Sequence, residues 1–318
     1  MGAGCGGLEV RFPGYVGGVA TIAQLIHYPV KGLAGIPVDA VEVGPTGLRH
    51  DRTFMLVDPD GTFLSQRVLP AMAAVRTAIY NDGADGMTRL VLSADGVDDA
   101  EVDVVTDGPR RDVSLFGSWF GVGIDQGEAV AKWCTAVLGR PAALVRVAPE
   151  HDRDGWGLNP GKVGFGDAHA ILMTSLSSLD GLNQRILDRG AEPIPMNRFR
   201  PNIVVTGWPE PHTEDRVRRA RIGTVELAHA TRAIRCAVPT VDQASGRKAG
   251  PEPTRTLASY RREPELGGGV SFGAKAAVIT PGRVAVGDEV EVLEWLTAED
   301  QAAVHLARSA RRSRDKIS

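Results

Sequence analysis

The sequence has few cysteines, and none of them form a close pair. Cys5, Cys134 and Cys236 lie far apart in the chain, with no CxxC spacing. This spacing excludes a disulfide framework and a zinc knuckle, both of which need grouped cysteines. A reducing compartment is the simplest setting for three unpaired thiols, so we predict a cytoplasmic protein.

Long apolar runs and a strong charge of one sign are also missing. No uninterrupted stretch approaches the roughly 18 apolar residues of a membrane helix, which predicts no membrane partner. The formal net charge is only −3 and aromatic residues make up 5%, so a broad nucleic-acid surface is not expected. The opening residues lack the basic and apolar regions of a signal peptide, and we predict a flexible N-terminus over residues 1–18.

Familiar nucleotide and zinc motifs are absent as well. The chain contains no P-loop, no Rossmann glycine pattern after a strand and no HExxH motif. With 318 residues, 43% hydrophobic and 24% charged, it has the size and composition of a soluble globular protein of two domains. Any chemistry must therefore be sought in less common residue patterns.

Short strands separated by turn residues dominate the first part of the chain. Their close spacing predicts a small antiparallel β-barrel over residues 19–125, with a hairpin around Pro59-Asp60-Gly61. Apolar positions at helical spacing then predict a helix from Gln126 to Leu138, on which Cys134 faces the core. We expect a second β-rich domain over residues 126–297, and a polar C-terminal helix and tail over 298–318. The predicted fold class is mixed α/β and rich in strands.

Several segments of the second domain carry more specific expectations. The polar loop after the strand at 143–147 is long, which indicates a pocket rim or lid, with disorder as the alternative. Ser175 or Ser177 is expected to cap the next helix. Glu214 and Asp215 precede a basic stretch, Arg216 to Arg221, which is predicted to form a solvated face.

Cys236 follows two arginines, Arg232 and Arg235, and precedes a short apolar run ending at Asp242. A positive field favours the thiolate, the form that binds metals and attacks electrophiles. The alternative is that Cys236 is a small buried hydrophobe, as many free cysteines are.

Other cationic residues stand at strand ends. Lys31 lies on a glycine-containing turn, where a lysine can hold a phosphate or be solvated. Arg198, Arg200, Asn197 and Asn202 precede an apolar strand and place rigid donors at its mouth, which suit a phosphate or a polar heterocycle. Solvated surface arginines are the alternative.

Four segments in fixed order resemble the MOSC family, named for the C-terminal domain of molybdenum cofactor sulfurase. The resemblance covers roughly residues 20 to 293 and is closest to two-part members that carry an N-terminal MOSC β-barrel, such as the amidoxime-reducing components and their bacterial relatives. The segments are Tyr28–Gly32 with Leu48–Arg52, Phe199–Val205, Arg235-Cys236 with Thr240–Asp242, and Phe272-Gly273 with Val286–Asp288.

The resemblance implies that the chain binds molybdenum cofactor, a molybdenum–molybdopterin, with Cys236 as the protein ligand to the metal. Thiolates suit such a metal, whose other sulfurs come from the pterin. Cofactor-binding roles are implied for Lys31, Arg52, Arg200, Asn202 and Arg235, with Arg232 and Arg235 keeping the thiol ionised.

The sequence departs from the family pattern at the edges of the implied site. Gly32 stands where amidoxime-reducing proteins have Ser, and Ala168 and His169 replace a pair of small hydroxyl residues. Lys275 stands where those relatives carry Tyr. His169 and Lys275 are kept as cofactor-binding candidates, with a packed histidine as the alternative for His169.

The expected function is an oxidoreductase that reduces N-hydroxylated small molecules at molybdenum. The cysteine cluster of a ferredoxin-like module is missing after Cys236, so electrons are expected from a separate ferredoxin-, flavin- or cytochrome-type protein. The alternatives are a sulfur-transfer or cofactor-carrier protein that uses Cys236, and an interaction domain that has lost the cofactor. Pyridoxal phosphate binding is only a family-level association, since that chemistry belongs to a desulfurase domain that the chain lacks.

Overall fold

A computed structural model describes residues 19–83, 86–117 and 119–314. The predicted flexible N-terminus, residues 1–18, lies outside these residues, as do the last four residues of the predicted C-terminal tail. Within the described part, no helix is long and apolar enough to cross a membrane.

Strands make up most of the regular structure, which confirms the prediction of a β-rich mixed fold. The first twelve are β1 (Thr21–His27), β2 (Val30–Lys31), β3 (Ile36–Val38), β4 (Ala40–Gly44), β5 (Gly47–Leu48), β6 (Phe54–Val57), β7 (Arg76–Gly83), β8 (Gly86–Ser93), β9 (Ala100–Asp103), β10 (Arg110–Leu115), β11 (Trp119–Asp125) and β12 (Ala143–Val147).

The remaining strands are β13 (Ile171–Ser175), β14 (Ile203–Thr206), β15 (Val217–Ile222), β16 (Val225–Arg235), β17 (Val241–Asp242), β18 (Arg247–Lys248), β19 (Arg262–Glu263), β20 (Gly269–Thr280), β21 (Gly282–Ala285) and β22 (Val290–Trp295). The helices are α1 (Glu128–Leu138), α2 (Leu176–Leu187), α3 (Thr254–Leu257) and α4 (Ala298–Arg314). Short 3-10 turns include Met196–Phe199 and Val238–Thr240.

The largest sheet has nine strands in the order β22-β15-β16-β20-β13-β14-β1-β3, with β19 paired to β20. Its centre is the long antiparallel pair β16 and β20, which ends where Arg235 pairs with Val270. β13 and β14 run parallel and bring Met173 beside Ile203. The apolar residues of this sheet, among them Ile22, Ile171 and Ile222, form one core cluster.

A five-stranded sheet, β10-β11-β12-β6-β2, forms the second layer of the structure. In it β12 pairs with β11 and β6, and α1 packs on β12 with Cys134 buried in the core. The predicted domain boundary between residues 125 and 126 therefore falls between elements that pack together. β1 and β3 from the N-terminal segment join the nine-stranded sheet, so the two halves of the chain share strands.

Local sequence signals account for the helix starts and turns. Ser175 caps α2, as predicted, and its side chain accepts a hydrogen bond from the Ser178 backbone N–H. α1 ends at Gly139, whose φ of 66° is the left-handed conformation of a helix stop. The hairpin predicted at Pro59-Asp60-Gly61 is reduced to a single bridge between Val57 and Phe63.

The basic stretch predicted to be solvated carries exposed or half-buried arginines, whereas the two acidic residues before it are buried. Glu214 is 0% exposed and Asp215 is 4% exposed. The Ser175 and Ser178 hydroxyls each donate to Glu214 at 2.8 Å, and Asp215 pairs with Arg261. A buried carboxylate needs such partners, and none of them is near in sequence.

Candidate cofactor site

One pocket at the junction of the two sheets brings together the eight residues predicted to bind the cofactor or its metal. Its lining includes Lys31, Arg52, His169, Arg200, Asn202, Arg235, Cys236 and Lys275. Arg198 and Arg232 do not line it. Arg198 donates to the Pro239 carbonyl at 3.0 Å, and Arg232 pairs with Glu263 at 2.8 Å.

Strand ends and tight turns carry these side chains to the pocket. Lys31 ends β2, Arg235 ends β16 and Lys275 lies within β20. Arg52 and Arg200 have φ angles of 49° and 55°, the left-handed region that non-glycine residues seldom adopt. Such backbone conformations each cost about 1 kcal/mol or more and cluster at functional sites.

The lining carries a large excess of positive charge. Its cations are Lys31, Arg52, Arg67, Arg200, Arg235 and Lys275, whereas Asp167 is the one carboxylate among the described lining residues. Charges gathered in this way in a partly buried cavity repel one another unless an anion joins them. The pocket is therefore built for an anionic ligand.

Tyr28 lies between two of the arginines. The guanidinium carbons of Arg200 and Arg52 are 4.2 and 4.7 Å from the centre of its ring, and its hydroxyl donates to the Pro201 carbonyl at 3.1 Å. Burial raises the pKa of Tyr28 to about 12, so the phenol stays neutral. The ring holds the two guanidinium groups in place by cation–π contact.

Asn202 braces this arrangement from within the protein. Its carbonyl oxygen accepts hydrogen bonds from the Leu172 N–H at 3.1 Å and from Arg52 at 3.2 Å. Its amide nitrogen donates to the Ile26 carbonyl at 3.2 Å. Asn202 thus orients Arg52 and joins β14 to β1 and β13.

Arg200 reaches the pocket with only neutral partners. Its guanidinium donates to the Leu33 carbonyl at 2.6 Å and to Gln243 at 3.0 Å. Burial lowers the pKa of Arg200 to about 10, which still leaves it charged at neutral pH. A bound anion would offset this burial cost.

Lys31 and Asp167 form an ion pair at the middle of the pocket. The Lys31 ammonium lies 4.8 Å from the centre of the Phe63 ring, and burial lowers its pKa. Partial burial acts to raise the pKa of Asp167, but Lys31 and Lys275 together hold it well below its usual range. Asp167 is therefore ionised throughout the neutral range.

Cys236 lies directly after Arg235 and is partly exposed to the pocket. The Arg235 guanidinium donates to the Phe199 carbonyl at 2.7 Å. Its Nε–H is buried and has no hydrogen-bond partner among the described residues. Arg232 is paired with Glu263, whereas Arg235 lies directly beside Cys236 and Lys275 lines the same pocket, so a role of Arg232 at the thiol stays a prediction.

His169 and Lys275 also line the pocket. The His169 ring packs against Trp156 with centroids 5.4 Å apart, and its Nε2 lies 2.5 Å from the Trp156 carbonyl oxygen. Lys275 is held between β13 and β16, opposite Leu172 and Thr231. Burial lowers the pKa of Lys275 to about 8. His169 thus combines a packed ring with a position at the pocket wall.

Comparison with known proteins decides the family. Residues 19–141 match the MOSC N-terminal beta barrel domain, and residues 160–291 match the MOSC domain. Mitochondrial amidoxime-reducing component 1 from Homo sapiens is 32% identical over 294 residues, covering 86% of this chain and 83% of that protein. The chain belongs to the MOSC family.

Other relatives of this MOSC protein come from two named groups. Mitochondrial amidoxime reducing component 2 from Bos taurus is 30% identical over 76% of this chain and 73% of its own. Molybdenum cofactor sulfurase from Arabidopsis thaliana is 30% identical over 76% of this chain but only 31% of its own length. The human and bovine relatives are named mitochondrial, and a cytoplasmic location stays a prediction for this chain.

The backbone geometry explains why this chain has Gly32 at the position after Lys31, where the resemblance predicts Ser. Gly32 has a φ of 87°, and a Cβ atom there would lie 2.8 Å from the Met72 methyl carbon. The Gly32 carbonyl instead accepts a hydrogen bond from Gln66 at 2.6 Å. Next to Gly32 the pocket of this MOSC protein is lined by the Gln66 amide, and residue 32 supplies no hydroxyl.

Sequence reasoning missed several lining residues. Asp167 stands in the long polar loop, where Arg153 holds the turn by donating to the carbonyls of Gly164, Gly166 and Asp167. In the sequence, Asp167 is distinguished only as an acidic residue shortly before an apolar strand. Phe63 and Phe116 form an edge-to-face pair beside Lys31, with centroids 5.5 Å apart. Of the chain between β12 and β13, Asp167 and His169 line the pocket, and a rim or lid role for the rest of the loop stays a prediction.

Proposed function

We propose that this MOSC protein binds molybdenum cofactor in the pocket and reduces N-hydroxylated compounds. One observation supports this most directly. A free thiol, Cys236, lines the same cavity as an excess of cationic side chains. A metal bound to a phosphorylated pterin calls for a soft thiolate ligand at one end and charge-assisted donors at the other.

The donor set fits this cofactor. Arg52 and Arg200, stacked on Tyr28, form a rigid pair suited to a phosphate. Arg235 has a buried N–H without a protein partner among the described residues, and that N–H would donate to the cofactor. No three His, Cys, Asp or Glu side chains in the described ranges could hold a metal together. Cys236 would thus be joined at the metal by ligands that the pterin brings.

The proposed reaction is a two-electron reduction. The N–O bond of the substrate breaks, two electrons and two protons are taken up, and the oxygen leaves as water. When bound, the cofactor would supply the redox chemistry at molybdenum. The chain's own residues would position the reactants: Arg235 and Lys275 surround Cys236 with positive charge, and Asp167 keeps Lys31 in place.

The electrons must come from outside the reaction centre. We propose a separate ferredoxin-, flavin- or cytochrome-type protein as donor. The human relative is called an amidoxime-reducing component, which agrees with a protein that works beside a partner.

A sulfur-transfer or cofactor-carrier role is the second candidate. It is favoured by the match to molybdenum cofactor sulfurase, which extends over both domains of this chain. In that role Cys236 would hold sulfur or cofactor in transit, and no electron donor would be needed.

One purification tests the cofactor. The wild type, Cys236→Ser and Cys134→Ser are made in cells that produce molybdenum cofactor, and molybdenum and pterin are measured in each. We expect both in the wild type and in Cys134→Ser, since Cys134 is buried in another core. Cys236→Ser should keep pterin but lose most of the metal. Absence of molybdenum and pterin from the wild type would refute the proposal.

A second measurement separates the two functions. The loaded protein is given benzamidoxime and a reduced viologen dye as artificial donor, and formation of benzamidine is followed. Turnover that disappears in Cys236→Ser supports the reductase. A loaded protein that does not turn over, and releases its cofactor or sulfur to an acceptor protein, supports the carrier.

A further inference from the structure

Lys275 differs from the other predicted cations of the pocket in its lack of a protein partner. Lys31 pairs with Asp167, Arg52 with Asp51, and Arg200 and Arg235 donate to backbone carbonyls. Lys275 has no hydrogen bond or ion pair with any residue that the structure describes. An ammonium group carries three N–H donors, and in a half-buried cavity these call for an acceptor.

Lys275 lines the same pocket as Cys236, on the strand that pairs with the one ending at Arg235. The charges that act on it most strongly belong to Asp167, Arg235, Lys31 and Cys236. Arg200 and Arg52 instead pack together on the Tyr28 ring. This arginine pair suits a phosphate, which leaves Lys275 available to another anionic group.

The backbone holds Lys275 firmly. It lies in β20 with hydrogen-bonded neighbours on both sides, opposite Leu172 in β13 and Thr231 in β16. The flanking residues Ala274 and Ala276 are 1% and 3% exposed. A charged group on a central strand of a sheet is more precisely placed than one on a loop.

We propose that Lys275 binds a carboxylate or similar oxyanion of the substrate beside Cys236, so that the site prefers anionic N-hydroxylated compounds to neutral ones. This rests on the proposed function. A fixed charge in a half-buried cavity discriminates between an anion and its neutral isostere, because the neutral compound would leave the lysine without a partner.

Binding without turnover provides the first test. Calorimetry measures the affinity of benzoate and of neutral benzamide for cofactor-loaded wild type, Lys275→Met and Lys275→Arg. We expect benzoate to bind about tenfold or more weakly to Lys275→Met, and within about threefold of wild type to Lys275→Arg. Benzamide should bind all three alike. Equal benzoate affinity for the wild type and Lys275→Met would overturn the proposal.

Measuring the pterin content distinguishes substrate binding by Lys275 from cofactor binding by Lys275. Lys275→Met should retain as much pterin and molybdenum as the wild type. If the variant loses the pterin, Lys275 holds the cofactor and the substrate role is refuted.

Turnover provides the second test. The ratio of kcat/KM for para-carboxybenzamidoxime to that for benzamidoxime should fall about tenfold in Lys275→Met and stay near the wild-type value in Lys275→Arg. An unchanged ratio refutes the preference while leaving the reductase intact. If the loaded wild type reduces neither compound, the reductase fails, and the benzoate measurement alone decides whether Lys275 is an anion site.

Discussion

Two clusters of charge differ in how they are built. In the pocket, six cations face a single described carboxylate, and several donors end at an open cavity. In the second cluster, here called the acid–arginine network, Arg261 pairs with Asp215 and Glu263, and Arg232 pairs with Glu263. Glu214, the neighbour of Asp215 in the chain, belongs to it as well, so the numbers of acids and arginines are nearly equal.

The network is also bonded to itself. Ser271 donates to Glu263 at 2.6 Å and accepts from Arg261 at 2.7 Å, and two serine hydroxyls satisfy one oxygen of Glu214. A balanced, mutually bonded cluster stabilises the fold, whereas an unbalanced one that faces a cavity awaits a ligand. The following predictions separate the two cases.

Removing an arginine from the network should have the largest effect on stability. Arg261→Met leaves Asp215 buried without its ion-pair partner, at a cost of about 3–5 kcal/mol in the free energy of unfolding. Urea denaturation measures it. Arg262→Met is the matched control, since Arg262 is exposed and bonded only to the Gly268 carbonyl, and we expect a change below about 0.5 kcal/mol. Similar values for both variants would show that the network is not structural.

Glu214 should make stability depend on pH. Burial, and secondarily Asp215, raise its pKa from the ordinary value of 4.5 to about 7. Its contribution to stability is therefore complete below pH 4.5 and is lost as the pH rises through 7. Glu214→Gln should remove about 2 kcal/mol of the stability difference between pH 5 and pH 8. Parallel stability curves for the wild type and the variant, from urea melts at each pH, would contradict this.

Removing a cation from the pocket should weaken ligand binding and leave the stability of the fold almost unchanged. Lys31→Met should lower the retention of pterin about tenfold or more, because the ligand loses a charged donor. The cofactor-free protein should change in stability by less than about 1 kcal/mol, since the Asp167 side chain is 52% exposed and water can solvate its carboxylate. Lys162→Met, which disrupts an exposed pair with Asp152 and Asp154, serves as control and should retain the pterin. Pterin content and urea denaturation of the cofactor-free protein give the two readouts.

The smallest effect is expected at Gly32. Gly32→Ser introduces a side chain at a φ of 87°, where non-glycine residues are strained, and should cost about 1 kcal/mol in unfolding free energy. The flexible Met72 side chain can move aside, so the fold should persist. A stabilising substitution, measured in the same urea experiment, would show that the turn adapts to the family's usual residue.

Local patterns predicted the elements well because they depend on near neighbours. The helical spacing of Val130, Trp133 and Val137 predicted α1, and Ser175 was one of the two residues predicted to cap α2. Exchange of strands between the halves of the chain was missed. Nothing in Thr21–His27 indicates that its partner is Ile203–Thr206, because that pairing is decided by packing across the whole chain.

The site shows the same limit. Short motifs nominated eight residues that the structure brings to one pocket, while their roles in binding stay predictions. What they touch could not be foreseen. Asn202 uses its side chain to join three strands, and Arg232 turns to Glu263 on the other face of its strand. The residue type indicates what chemistry a side chain can perform, whereas the strand register determines the direction in which that side chain points.

The shared strands have a consequence for how the protein is made. β1 is synthesised long before its neighbour β14, and Lys31 and Arg52 precede Cys236 and Lys275 by most of the chain. At about 5–20 residues per second, the early strands wait many seconds on the ribosome with an unpaired edge. The pocket closes only when β20 arrives. Any cofactor can therefore bind only after nearly the whole chain has been synthesised. A chain whose synthesis stops before Gly269 would expose unpaired strand edges to which chaperones can bind.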